Sequence, residues 1–180
     1  HILDKEAGQI TQTISAVNVG MGRVRTVCGG LLQGVNSKIP GFLLIDSPGH
    51  AAFTNLRKRG GNLADIAVLV VDVNEGILEQ TLEAIDILKQ YKTPFIVALN
   101  KIDLLTGWKK KDNGLMRDIN LQTIETLQNL DTKIYEVVGK LYEKGFNAER
   151  FDRVEDYGKQ IAIVPVSAKL GIGIQETLIV

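Results

Sequence analysis

The chain has 180 residues, 44% apolar and 23% charged, with 21 Lys plus Arg balancing 21 Asp plus Glu. These proportions exclude a disordered or low-complexity chain, and the zero net charge excludes a large basic footprint as its main device. The single cysteine, Cys28, excludes a disulfide framework and a Cys-rich zinc site and points to a reducing, cytoplasmic compartment, while no apolar run reaches membrane-spanning length.

Thr13 to Val19 is mixed in polarity and reads as an edge strand. Phe42 to Ile45 then runs into Asp46, Ile66 to Val71 into Asp72, Phe95 to Leu99 into Asn100, and Ile161 to Val166 into Ser167. Each run is short and apolar on both faces, and most are rich in β-branched residues, which predicts buried strands of a parallel sheet covered on both sides. Leu78, Leu82, Ile85 and Leu88 share a helical face that Thr93-Pro94 closes. Leu104 to Gln160 reads as a helical insertion before the last strand. Its periodic Ile119, Ile124, Leu127, Ile134, Val138 and Leu141 suggest one long or two shorter helices, with Gly145 as the stop. The fold expected is α/β: an open, mostly parallel sheet with helices on both faces, formed by residues 1–180 as a single domain. In such sheets ligands bind beyond the carboxyl ends of the strands, where Asp46, Asn100 and Ser167 stand.

Three of these strand ends carry chemistry. In Asp46-Ser47-Pro48-Gly49-His50 the carboxylate can hold magnesium, usually through water. Gly49 can approach a phosphate closely and offer its N–H, and His50 could orient a water. The alternative is a strand-to-helix turn built from good turn residues. Asn100-Lys101-Ile102-Asp103 suits guanine, since a carboxylate accepts two parallel hydrogen bonds from N1–H and the exocyclic amine. Lys101 can lay its stem over the base plane. Its three fixed residues match by chance roughly once in eight thousand positions, against the alternative of a polar loop capping a helix at Asp103. Ser167-Ala168-Lys169 is weak alone; its value is its place after the last strand, where a second loop could close over the same base.

The order of the three, each ending a strand, resembles a translational GTPase G domain of the P-loop class. Residues 6–12 (Glu-Ala-Gly-Gln-Ile-Thr-Gln) are similar to the switch-one segment of the initiation-factor branch, and residues 40–57 to its switch-two region. Residues 93–103, followed by Gly107-Trp108, continue the likeness. The long insertion, with Asp131-Thr132-Lys133 and Phe151-Asp152-Arg153, resembles the archaeal and eukaryotic form. The family it most resembles is the archaeal or eukaryotic initiation factor five-B family, the GTPase of ribosomal subunit joining, and the likeness spans most of the chain.

The resemblance implies GTP and GDP as ligands and Mg²⁺ as cofactor. It implies that Thr11 and Asp46 serve the metal, that Gly49 donates to the γ-phosphate and that His50 positions the attacking water. It further implies that Asn100, Lys101 and Asp103 grip guanine, and that Ser167, Ala168 and Lys169 complete the base pocket, with the Ala168 N–H near the base carbonyl. The partners implied are the large-subunit stimulatory centre of the ribosome and, through domains outside this chain, initiator tRNA. A monomer without membrane contact is expected.

The sequence departs from the family at its front: no Gly-x-x-x-x-Gly-Lys-Ser/Thr phosphate loop occurs in it. His1 to Lys5 resembles the helix after that loop, and roughly ten family residues are then missing before Glu6. The expectation is a break in the chain between Lys5 and Glu6, which a normal Cα spacing of about 3.8 Å would refute. Gln9 stands where the family has a second glycine, and the last helix looks cut short at Val180. The rival reading is a pseudo-GTPase that docks on the ribosome without turnover. Trp108 is expected to anchor the insertion by packing, and Arg57-Lys58-Arg59 either touches RNA or lines a solvated helix.

Overall fold

A computed structural model describes residues 15–34, 38–46, 64–110 and 114–180, which fall into two units, His1–Asp65 and Ile66–Val180. The expected break between Lys5 and Glu6 and the cluster at Arg57 to Arg59 lie outside the described residues.

In the first unit β1 (Ser15–Gly20) pairs antiparallel with β2 (Gly41–Asp46), in a register that sets Ser15 opposite Asp46. Helix α1 (Met21–Cys28) follows β1 directly and buries Val24 and Cys28, so the lone thiol acts as a small packing residue. The Met21 N–H donates to the Pro40 carbonyl at 2.8 Å, tying the helix start to the residue before β2. The strand expected over Thr13 to Val19 is thus met by β1 over its described residues, from Ser15 on. Phe42 to Ile45 is corrected: it belongs to β2, whose described partner is antiparallel β1, and Leu43 and Leu44 are 63% and 50% exposed. Covering both faces of a strand takes elements packed on both sides, and α1 is the one α-helix described in this unit.

The second unit holds the parallel sheet. Strands β3 (Ala67–Asp72), β4 (Phe95–Asn100), β5 (Asn147–Arg150) and β6 (Gln160–Pro165) lie in the order β3-β4-β6-β5, every pair parallel. Helix α2 (Glu79–Gln90) joins β3 to β4 and buries Ile85 and Leu88, two of the four residues whose spacing predicted it. β4 has a strand on each side, and Phe95 to Leu99 is buried throughout. β3 sits at the sheet edge; Val71 is buried, but Val68 and Val70 are about half exposed or more, so the run is not apolar-in on both faces.

The insertion holds two helices, α3 (Leu115–Asn120) and α4 (Ile124–Glu143). Thr123 separates them, its hydroxyl oxygen accepting the Thr126 N–H at 3.3 Å as an N-cap. Leu130, Ile134, Val137 and Leu141 recur at helical spacing and are buried in the sheet's core, with Trp108 packed against the same cluster as expected. Gly145 ends α4 with φ of 87°, and the Phe146 N–H reaches back to the Leu141 carbonyl at 3.0 Å. The expectation of a purely helical insertion needs one amendment. It also supplies β5, four residues that extend the sheet beside β6. Arg150, nearly buried, forms a fork with Asp152, with Nη2 to Oδ2 at 2.8 Å, and Asp131 lies 3.4 Å from its Nη1. Helix α5 (Ile174–Ile179) ends the described chain.

Candidate functional site

Asn100 closes β4, and its side chain joins two loops. Oδ1 accepts the Lys101 N–H at 2.8 Å and the Ala168 N–H at 3.0 Å, so the loop after β4 and the loop after β6 share one carboxamide oxygen. Backbone bonds lock the same junction. The Val166 N–H donates to the Leu99 carbonyl at 2.8 Å, and the Ile102 N–H donates to the Val166 carbonyl at 3.2 Å. Lys101 sits in the left-handed region, at φ 66° and ψ 31°, and caps a single 3₁₀ turn over Ile102–Leu104. Such a backbone is uncommon for a residue with a Cβ and marks a position held by its surroundings. Ile102 plugs into the core at 0% exposure, which leaves Lys101 exposed and Asp103 half-buried on the outer side of the turn.

Ser167 is fully buried, and its hydroxyl accepts the Leu170 N–H at 3.2 Å. Its backbone exchanges two hydrogen bonds with Ile172, at 3.0 and 3.1 Å, which closes residues 167–172 into a tight loop. Gly173 lets that loop return against the strand. With φ of 76° it would place a Cβ 2.3 Å from the Pro165 carbonyl oxygen, so no side chain fits there. Ala168 and Lys169 stand exposed at the loop tip.

A third strand end joins these two loops. The β3–β4 register pairs Asp72 with Asn100, and the Val73 N–H donates to the Asn100 carbonyl at 2.9 Å. Asp72 Oδ1 accepts the Asn74 N–H at 2.8 Å, and Oδ2 meets Lys101 Nζ at 2.7 Å. Partial burial would raise the Asp72 pKa, but the hydrogen bond from Lys101, the Asn74 N–H and the lysine charge together outweigh it. The carboxyl is held below its usual value. Lys101 is raised above its usual value, first by the hydrogen bond to Asp72 and then by that carboxylate's charge. Both groups are therefore ionised at neutral pH.

A family model described as the elongation factor Tu GTP binding domain matches residues 3–180. The chain belongs to that family, on the branch of IF-2 and aIF5B. It is 52% identical over 182 aligned positions to the probable translation initiation factor IF-2 of Thermococcus sibiricus, covering 99% of this chain and 30% of that protein. To the IF-2 of Thermococcus kodakarensis it is 53% identical, covering 16% of that protein, and to that of Methanocella arvoryzae 50%, covering 30%. The crystal structure of GDP-bound aIF5B from Aeropyrum pernix superposes with a TM-score of 0.84 at 46% identity, over 98% of this chain and 30% of that one. The chain thus spans less than a third of the length of these relatives.

Within this GTP-binding domain the six residues expected around the base, Asn100, Lys101, Asp103, Ser167, Ala168 and Lys169, lie on two loops that the Asn100 carboxamide joins. The Ala168 N–H, expected near a base carbonyl, donates to Asn100 Oδ1. Asp46 ends β2 in the first unit and is exposed, while Thr11, Gly49 and His50 lie outside the described residues. Among the described residues no three His, Cys, Asp or Glu side chains cluster as a metal site, and no helix is long and apolar enough to cross a membrane. Asp72 is the residue that sequence reasoning passed over. It ends a strand in the same way as Asp46 and Asn100, and that pattern was the signal available.

Proposed function

We propose that this chain is the nucleotide switch of a translation initiation factor, binding GTP and GDP and hydrolysing GTP when the ribosome's large subunit stimulates it. The observation that carries the reading is the Asn100 carboxamide, which holds the Asn100–Asp103 turn and the Ser167–Lys169 loop together within a GTP-binding-domain family. Asp103 stands half-buried on that turn, where a fixed carboxylate suits the N1–H and amine edge of guanine. Lys101 supplies an apolar stem beside it, and the Ser167 hydroxyl keeps the facing loop in shape.

Residues 1–180 act in this reading as one G domain, with 104–160 as its insertion. Thr11 and Asp46 are the residues that would hold Mg²⁺, and the exposed strand-end carboxylate of Asp46 is a hard oxygen donor suited to that ion. When bound, the ion neutralises charge on the phosphates. Gly49 offers a backbone N–H to the γ-phosphate, and His50 orients the attacking water. Initiator tRNA is met by domains of the longer factor, and the setting is cytoplasmic.

The test is Asp103→Asn in the intact protein. Exchanging an acceptor for a donor moves nucleotide preference from guanine toward xanthine by about a hundredfold or more. Unchanged guanine preference would remove the base site from this turn. The absence of any nucleotide binding by the unmodified protein would favour a docking module without turnover.

A further inference from the structure

Lys101 is held at both ends. At the backbone, the left-handed turn and the bond from its N–H to Asn100 Oδ1 set the direction in which the side chain leaves. At the tip, the ammonium lies 2.7 Å from Asp72 Oδ2. Asp72 is itself immobilised: its side chain is only 17% exposed, Oδ1 accepts the Asn74 N–H, and its carbonyl accepts the Gly76 N–H at 2.8 Å. One carboxylate oxygen thus shapes the turn after β3 and the other holds the lysine.

A lysine side chain that is free at its tip loses rotamer entropy when a ligand orders it. One fixed at both ends has lost that freedom already and presents its methylenes as a ready apolar wall. We propose that Asp72 is a positioning residue of the nucleotide site, holding the Lys101 ammonium so that the lysine stem stands preformed beside the base. This rests on reading Asn100–Asp103 as the guanine grip. Asp72 touches no nucleotide; it acts through Lys101. The shifts of both groups keep the pair charged across the neutral range, so the attraction between them is not lost to titration there.

The experiment is a double-mutant cycle on GDP affinity in the intact protein, using Asp72→Asn, Lys101→Met and the double variant. Asn keeps an acceptor for the Asn74 N–H and removes the charge, so the turn after β3 survives. Asp72→Asn alone weakens GDP binding about three- to tenfold. Added to Lys101→Met it weakens binding no further, because the group it positions is gone. An unchanged affinity in the single variant, or the same fold-loss in both backgrounds, overturns the proposal; the second result marks a merely structural carboxylate. If Asp72→Asn fails to fold, Asp72→Ser, which also retains an acceptor, runs the same cycle. Asp103→Asn in parallel separates the two ideas. A retained guanine preference there sinks the base-site reading itself, whereas a swing to xanthine with an additive cycle sinks only the role of Asp72.

Discussion

β2 and β4 are both six-residue strands ending on a polar side chain, Asp46 and Asn100, yet they occupy opposite surroundings. β4 lies between β3 and β6, and Val97 and Leu99 are 0% exposed. β2 has β1 beside it, and its last four residues are exposed. The difference teaches that burial is conferred by neighbours, not by the apolar run itself. It also bears on the proposed function. The residue that ends the central strand has its carboxamide bonded to the two loops proposed to hold the base. The residue that ends the two-stranded ribbon is exposed, at a segment expected to serve catalysis.

The largest effect expected tests the burial contrast directly. Leu99→Ala removes a fully buried side chain beside strands that cannot collapse, and lowers unfolding free energy by about 3 kcal/mol. Leu44→Ala in the same 180-residue chain costs less than about 1 kcal/mol, since half of that side chain already meets water. Equal losses in denaturant titrations would break the comparison.

The functional contrast comes next. Under the proposed reading, His50→Ala lowers ribosome-stimulated turnover by about a hundredfold and leaves GDP affinity unchanged, the reverse of the outcome expected at Asp103. A turnover rate unaffected by the change takes His50 out of the reaction.

The smallest effect sharpens the contrast in a third place, the β5 edge, which ion pairs secure where apolar packing secures β4. Burial would raise the Asp152 pKa, but the bonded, charged Arg150 overcomes it and holds the carboxyl below its ordinary value. A depressed carboxyl contributes stability that is present above the unfolded pKa and lost as pH falls through the folded one. Asp152→Asn therefore costs about 2 kcal/mol near pH 7. The deficit closes as pH falls below the ordinary carboxyl value of 3.8 and the unmodified protein loses the same charge. A deficit that persisted at lower pH would assign the loss to packing. The Asp72–Lys101 pair behaves alike on its acid side, and on its alkaline side weakens only above the ordinary lysine value of 10.5.

Much of the sheet, and the strand-end residues of the proposed base site, was legible in the chain. Phe95 to Asn100 and Ile161 to Ser167 announced central strands with polar ends, and Leu78 to Leu88 announced α2, because a buried strand or an amphipathic helix writes its period locally. β5 was not legible. Asn147-Ala148-Glu149-Arg150 carries no strand pattern, and it becomes one because β6 offers a free edge and the fork between Arg150 and Asp152 neutralises the inward cation. The antiparallel pairing of β2 was likewise hidden, since an apolar run does not name its neighbour.

The sequence by itself determined which residues end the strands and what chemistry they carry, because residue type and spacing are local properties. Tertiary structure alone decided that Asp72 lies beside Asn100 and reaches Lys101, and that Asn100 bridges to Ala168, 68 positions away. Those contacts depend on strand register, which many side chains settle jointly when the sheet packs and which no single segment encodes.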